Sequence, residues 1–230
     1  MSLLPAIEIE APRHTPVNAA IIWLHGLGAD GSDFAAIVPQ LELAESYGIR
    51  FVFPHAPSIP VSINNGYVMP AWYDIFSLEL DRRDFSDEQL IESAQQIQLL
   101  IDREIERGID SRRIIVAGFS QGGAVAYHAA LSYAEPLGGI MALSTWFATA
   151  NRFVINPANQ KIPILICHGS QDPVVPEILG QRSQAALQSL GMNPVYRSYP
   201  MEHNVSQREI EDISTWIRQQ LGTDAGTPTT

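Results

Sequence analysis

The residues best suited to chemistry lie in one short stretch, Gly118-Phe119-Ser120-Gln121-Gly122-Gly123. It fits the pattern G-x-S-x-G, with the apolar run RIIVA before it and the helical run AVAYHAALSYA after it. A sharp strand-to-helix turn holds such a serine in a strained backbone conformation with its hydroxyl exposed, and the flanking glycines remove side chains that would clash. The start of the following helix favours negative charge as it develops on an attacked carbonyl. A glycine-rich turn whose serine only caps a helix has the same sequence, so partner residues must decide between the two.

A serine hydroxyl becomes a useful nucleophile when a base takes its proton and an acid orients that base. After a turn of this kind the partners follow in chain order as acid, then histidine. His14, His25 and His55 precede Ser120, and His128 shares its helix. His168 ends an apolar run and precedes the candidate acid, which leaves His203. The carboxylates between Ser120 and His203 are Glu135, Asp172, Glu177 and Glu202, and only Asp172 lies in a loop directly after a buried strand. Alone, Asp172 also reads as a turn residue before Pro173, and His203 as a surface histidine before a capped helix. Their joint order and placement single them out. Stabilising the oxyanion needs one amide just after the nucleophile and another from the loop after an early strand. Gln121 supplies the first and Leu27, in His25-Gly26-Leu27-Gly28, the second.

Holding these residues together requires a particular order of elements. Short apolar runs at 19–24, 49–53, 113–118, 138–144 and 162–167 read as strands buried on both faces of a mostly parallel sheet, with a last strand at 195–200. Between them lie amphipathic segments, clearest at 87–107, where Leu90, Ala94, Ile97, Ile101 and Ile105 recur at helical spacing. Ser86 with Gln89, and Ser206 with Glu209, form capping boxes that start two helices. Strand-helix alternation predicts a doubly wound sheet with its site beyond the carboxyl ends of the strands. The stretch 54–85 shows no long periodic element and is expected to be a loop, either functional or disordered. One domain is expected over 1–221, followed by a disordered tail at 222–230.

Composition excludes several classes. Lys and Arg total 14 against 25 Asp and Glu, for a net charge of -11, and no basic run exceeds the pairs Arg82-Arg83 and Arg112-Arg113, so no nucleic-acid partner is expected. The start of the chain lacks a basic leader with an apolar core, and no apolar run is long enough to cross a bilayer, so a cytoplasmic protein without a stable membrane anchor is expected. The single cysteine, Cys167, sits in an apolar strand and reads as a buried structural thiol. Gly26-Leu27-Gly28-Ala29-Asp30-Gly31 formally matches a dinucleotide fingerprint, but Pro54-His55 stand where the ribose-binding acid belongs. No phosphate-binding loop with its lysine and no H-E-x-x-H pattern occurs, so neither cofactor nor metal is expected. A non-catalytic protein on the same scaffold is a further alternative, although every catalytic position is filled.

HGLGADGSDF at 25–34, MPAWYDI at 69–75, AGFSQGG at 117–123, CHGSQDPVVP at 167–176 and YPMEH at 199–203 stand in one order along nearly the whole chain. In these segments the chain resembles the phospholipase/carboxylesterase family of small serine hydrolases, which includes bacterial carboxylesterases and acyl-protein thioesterases. The resemblance implies an α/β-hydrolase fold, with a mostly parallel central sheet, helices on both faces and no large cap domain. It implies a serine carboxylesterase acting on acyl esters or thioesters, with lysophospholipase or acyl-protein thioesterase activity as the alternative. Substrates would be small-molecule or lipid acyl esters, or acylated proteins, and a homodimer is compatible with the family. Ser120, Asp172 and His203 take the triad roles, and the Leu27 and Gln121 amides the oxyanion hole. The family's segment corresponding to 69–78 lines the site, which makes Trp72, Tyr73, Ile75 and Phe76 candidate acyl contacts, with core packing as the competing role. Trp146, beside Phe147, is a candidate for the opposite wall, with a place in the core as the equal alternative. Glu202 departs from the small residue usual before the histidine.

Overall fold

The computed structural model describes residues 3–44, 47–80 and 82–222. The tail expected at 222–230 lies outside the described residues except for Gly222, which caps the last helix.

Seven strands form one sheet: β1 (Ala6–Ile9), β2 (Ala19–Leu24), β3 (Ile49–Pro54), β8 (Ile114–Phe119), β9 (Gly139–Leu143), β10 (Ile164–Gly169) and β11 (Val195–Tyr199), in the order β1-β3-β2-β8-β9-β10-β11. Only β1 runs antiparallel, against β3. The five inner strands match the apolar runs of the sequence to within two residues at each end. β1 was not anticipated, because four half-buried residues on an edge carry too weak a pattern.

Successive residues of a strand face opposite sides of the sheet, and the two sides bury separate cores. Ala20, Ile22, Leu24, Val116 and Ile140 pack with Leu90, Ile97 and Ile101 of α2 (Asp87–Glu106) and with Val125 and Ala129 of α3 (Gln121–Ser132). Ala19, Ile21, Trp23, Ile115 and Leu165 pack with Phe34 of the short α1 (Ser32–Ala35) and with Ile210, Ile213, Trp216 and Ile217 of α5 (Gln207–Leu221). Helices therefore cover both faces, with α4 (Glu177–Ser189) adding Leu187 to the first core.

The helix starts form as the sequence implies, but only by half. Ser86 accepts from the Gln89 amide and Ser206 from the Glu209 amide. The return contact is missing in both: Gln89 Oε1 instead accepts from the Asp74 amide at 2.7 Å, and the Glu209 carboxylate is buried without a partner. The edge strand β1 is clamped to α2 by charge. Glu104, fully buried, receives Arg50, Arg103 and Arg107, which also pair with Glu8 on β1 or with Glu10 just beyond it.

The stretch 54–85, expected to be a loop, contains two hairpins. β4 (Ser58–Val61) pairs with β5 (Tyr67–Pro70), and β6 (Ile75–Glu79) with β7 (Arg82–Phe85), each as a separate two-stranded sheet. Strands of four or five residues interrupted by Pro60 and Pro70 are too short to show alternation, and proline is tolerated there because these strands are all edges.

Candidate active site

Ser120 sits between β8 and α3 with φ 53 and ψ -120, a conformation a side-chain-bearing residue adopts only when its surroundings impose it. Its amide donates to the carbonyl of Leu143 at 2.9 Å, and its carbonyl accepts from Thr145 Oγ1 at 2.6 Å. The glycines of the motif are needed for contact with backbone: a Cβ at Gly118 would overlap the carbonyl of Gly122, and one at Gly122 would lie 2.5 Å from the carbonyl oxygen of His25. The turn is thereby wedged against the end of β2.

Two more strand ends bring the partners. Asp172 follows β10 and His203 follows β11, which lie side by side in parallel register. His203 Nε2 lies 2.9 Å from Ser120 Oγ, and His203 Nδ1 lies 2.6 Å from Asp172 Oδ2. The other carboxylate oxygen, Oδ1, accepts from the amides of Val174 and Val175 at 2.9 and 2.8 Å. Burial by itself would raise the Asp172 pKa, but the hydrogen bond from His203, the Val175 amide, the imidazole charge and the Val174 amide outweigh it and hold the carboxyl below its ordinary range. An ionised carboxylate only accepts, so Nδ1 carries the imidazole proton and Nε2 is left to accept from the serine hydroxyl.

His168, set aside as a base, has a place beside this group. It is fully buried, and its Nε2 is 2.7 Å from the carbonyl of Val175. A carbonyl only accepts, so Nε2 donates; desolvation lowers the pKa of this histidine and favours its neutral form. The loop whose amides cradle Asp172 is thus fastened from behind.

Leu27 and Gln121 line the same cavity as Ser120, and neither backbone amide has a hydrogen-bond partner among the described residues. His25 sets the plane of the peptide that carries the Leu27 amide. Its Nε2 accepts from the Ala56 amide at 3.1 Å, which leaves Nδ1 to donate to the Gly26 carbonyl at 2.7 Å. Burial lowers the His25 pKa and keeps that tautomer available.

The candidate acyl contacts divide. Tyr73, Ile75 and Trp146 line the cavity beside Ser120, whereas Trp72 and Phe76 do not. Trp72 is buried and braces the site from within: its indole donates to the His25 carbonyl at 2.9 Å, its amide donates to Gln121 Oε1 at 2.9 Å, and its carbonyl accepts from Ser93 Oγ. Gln121 completes the brace by donating from Nε2 to the Tyr73 carbonyl at 2.7 Å. Phe76 sits where the β6–β7 register shifts between Ile75 and Ser77, and its side chain is half exposed. Leu78, Phe85, Val174 and Val175 line the cavity and were missed by the sequence reading. Leu78 lies inside the segment 69–78 already singled out, and both valines come within three residues of Asp172, after Pro173, so position along the chain held a signal for these three. Glu202 is exposed beside His203, and Cys167 is fully buried, with burial pushing its thiol pKa up.

The glycines of the G-x-G-x-x-G match are occupied by protein contacts. Gly28 donates to the Pro70 carbonyl, Gly31 donates to His55 Nδ1, and Gly26 packs on Phe119. No helix among the described residues is long and apolar enough to cross a membrane.

The profile of the phospholipase/carboxylesterase family matches residues 4–221. Acyl-protein thioesterase 1 of Gibberella zeae is 35% identical over 229 residues, covering 95% of this chain and 96% of the relative. A probable carboxylesterase of Oryza sativa subsp. japonica is 35% identical over 205 residues, covering 87% of this chain and 77% of the relative. Among solved structures, Zea mays acyl-protein thioesterase 2 superposes with a TM-score of 0.81 at 30% identity, covering 95% of this chain and 100% of that one. Arabidopsis thaliana SOBER1 gives a TM-score of 0.83 at 30% identity, covering 89% of this chain and 100% of that one. The chain belongs to the phospholipase/carboxylesterase family.

Proposed function

We propose that this chain is a serine hydrolase that cleaves acyl esters or thioesters through an acyl-enzyme on Ser120, with Asp172 and His203 completing its triad. The observation that carries the reading is the unbroken hydrogen-bonded line from Ser120 Oγ through the His203 ring to Asp172. His203 takes the hydroxyl proton as Oγ attacks the acyl carbonyl, and Asp172 holds the tautomer and stabilises the imidazolium that forms. The Leu27 and Gln121 amides receive the oxyanion, each contributing about 2.7–4 kcal/mol to the transition state because they are preorganised toward charge present only there. The protonated imidazole then gives its proton to the leaving alcohol or thiol, and water repeats the sequence on the acyl-enzyme.

Relatives named acyl-protein thioesterase 1, aligned over nearly the whole chain, favour acyl thioesters on proteins among the candidate substrates, beside lipid and small-molecule esters. We assign one catalytic domain to 1–221 and a cytoplasmic location; sedimentation tests the homodimer compatible with the family. The deciding experiment combines a fluorophosphonate probe with a product assay. The protein is expected to form an adduct on Ser120 and to release acid from a short thioester, and Ser120→Ala to lose both. Retention of more than a few per cent of the rate by Ser120→Ala would remove Ser120 as nucleophile.

A further inference from the structure

Two cavities lie on either side of the Trp146 side chain. The one beside Ser120 has a volume of about 70 Å³. The other, about 290 Å³, lies between the β6–β7 hairpin, residues 146–151 and α4. They share two lining residues, Arg83 and Trp146. The Arg83 guanidinium lies over the Trp146 ring, 5.7 Å from its centroid, and donates through Nη2 to the Val174 carbonyl at 2.6 Å. Trp146 is fixed in turn by edge contact with Phe85 at 5.5 Å. A bar therefore runs from the hairpin, across the indole, to the loop that follows Asp172.

The way Arg83 is held fits a spacer better than a surface ion pair. Among the described residues no carboxylate pairs with it, and its Nε is buried without an acceptor. Its fixed contacts are one carbonyl and one aromatic face, so its planar head stands in the wall beside Trp146 and Phe85, where Ser77 and Asp84 also line the cavity. Tyr73, Ile75 and Phe85 line the cavity beside Ser120 together with Arg83 and Trp146, and the same pair lines the larger cavity.

Resting on the reading of the site as an acyl hydrolase, we propose that Arg83 and Trp146 form a stop that ends the acyl pocket and restricts the enzyme to short acyl chains, which makes Arg83 a specificity-determining residue. Removing either half of the stop joins the two cavities, and the methylenes of a longer chain then occupy the second.

Binding of thioesters of N-acetylcysteamine, from butanoyl to dodecanoyl, is measured by calorimetry on Ser120→Ala protein. This readout needs no turnover, so it stays legible even if the hydrolysis reading fails, and that reading is checked separately by turnover of the butanoyl thioester on the parent. In the Ser120→Ala background, affinity is expected to rise with chain length and then level off. Adding Arg83→Ala, or independently Trp146→Ala, extends the rise by about fourfold per further methylene, the gain for burying each one. Adding Ala186→Leu, which fills the second cavity from α4, to the Arg83→Ala protein cancels the extension. If Arg83→Ala does not fold, Trp146→Ala decides by the same criterion. A rise that continues to dodecanoyl with the stop intact, a plateau unmoved in the opened proteins, or an extension that survives Ala186→Leu overturns the proposal.

Discussion

The imidazole of His168 donates through Nε2 to the carbonyl of Val175 at 2.7 Å, so the loop that cradles the catalytic acid is anchored by a second, neutral histidine. His168→Leu removes the donor and leaves the buried carbonyl unsatisfied, which is expected to cost about 1–3 kcal/mol of stability. Displacement of Asp172 is expected to lower kcat by up to about 10²-fold with KM little changed. His168→Gln keeps a donor in reach of the carbonyl and is expected to recover part of the rate. Steady-state kinetics on the two variants, with melting curves, check this; equal kcat in all three proteins would refute it.

Asp172→Asn preserves shape but exchanges an acceptor for a group that can donate to Nδ1. The imidazole then presents the wrong tautomer to Ser120, and kcat is expected to fall by about 10⁴-fold. A loss of less than tenfold on a short thioester would show that this carboxylate does not hold the ring. Stability linked to Asp172 follows the depressed carboxyl: it is present above the unfolded-state pKa and lost as pH falls through the lower folded-state value.

Glu209 carries the opposite sign. Burial drives its carboxyl from 4.5 to about 8, and although the Ser206 backbone and the nearby Asp212 also act on it, neither carboxylate oxygen reaches hydrogen-bond geometry. The folded protein therefore keeps a proton that the unfolded chain has released, and stability falls as pH rises from 4.5 to about 8. Glu209→Gln is expected to be more stable than the parent by roughly 4 kcal/mol at the top of that window and to converge with it at the bottom. Urea unfolding at both ends of the window measures this, and parallel profiles for the two proteins would contradict it.

Gly122→Ala tests the wedge behind the nucleophile. Its Cβ would lie 2.5 Å from the His25 carbonyl oxygen and 2.7 Å from Leu24 Cβ, and a strand end cannot yield as a flexible side chain does. A destabilisation of about 1–3 kcal/mol is expected, with loss of activity exceeding loss of folded protein because both oxyanion amides border the same contact. Retained activity in a folded variant would show that the turn has slack.

Much of this arrangement was legible because each signal was local. Buried strands announce themselves as apolar runs, the Gly118-Gly122 spacing reports a turn that excludes Cβ atoms, and Asp172 and His203 each follow such a run directly. What escaped depended on contacts between distant residues. Trp72 was read as a substrate contact because an aromatic near a site looks the same whether it faces a ligand or braces a loop; its hydrogen bonds to His25, Gln121 and Ser93 decide. The hairpins were hidden by their brevity, although Asn65-Gly66, both at positive φ in the structure, was a turn signal open to reading. Arg83 offered no sequence cue, since its partners Val174 and Trp146 come from far along the chain.

Because the β4–β5 and β6–β7 hairpins satisfy their ladders internally, residues 58–85 contribute no rung to the seven-stranded frame. The strand ends that carry Ser120, Asp172 and His203 are therefore set by the frame, and the insert is tied to the site through Trp72 and Tyr73, which brace His25 and Gln121. Selection can thus rework much of this insert, and with it the appetite for particular substrates, provided the Trp72-Tyr73 step that steadies the cleaving machinery is kept.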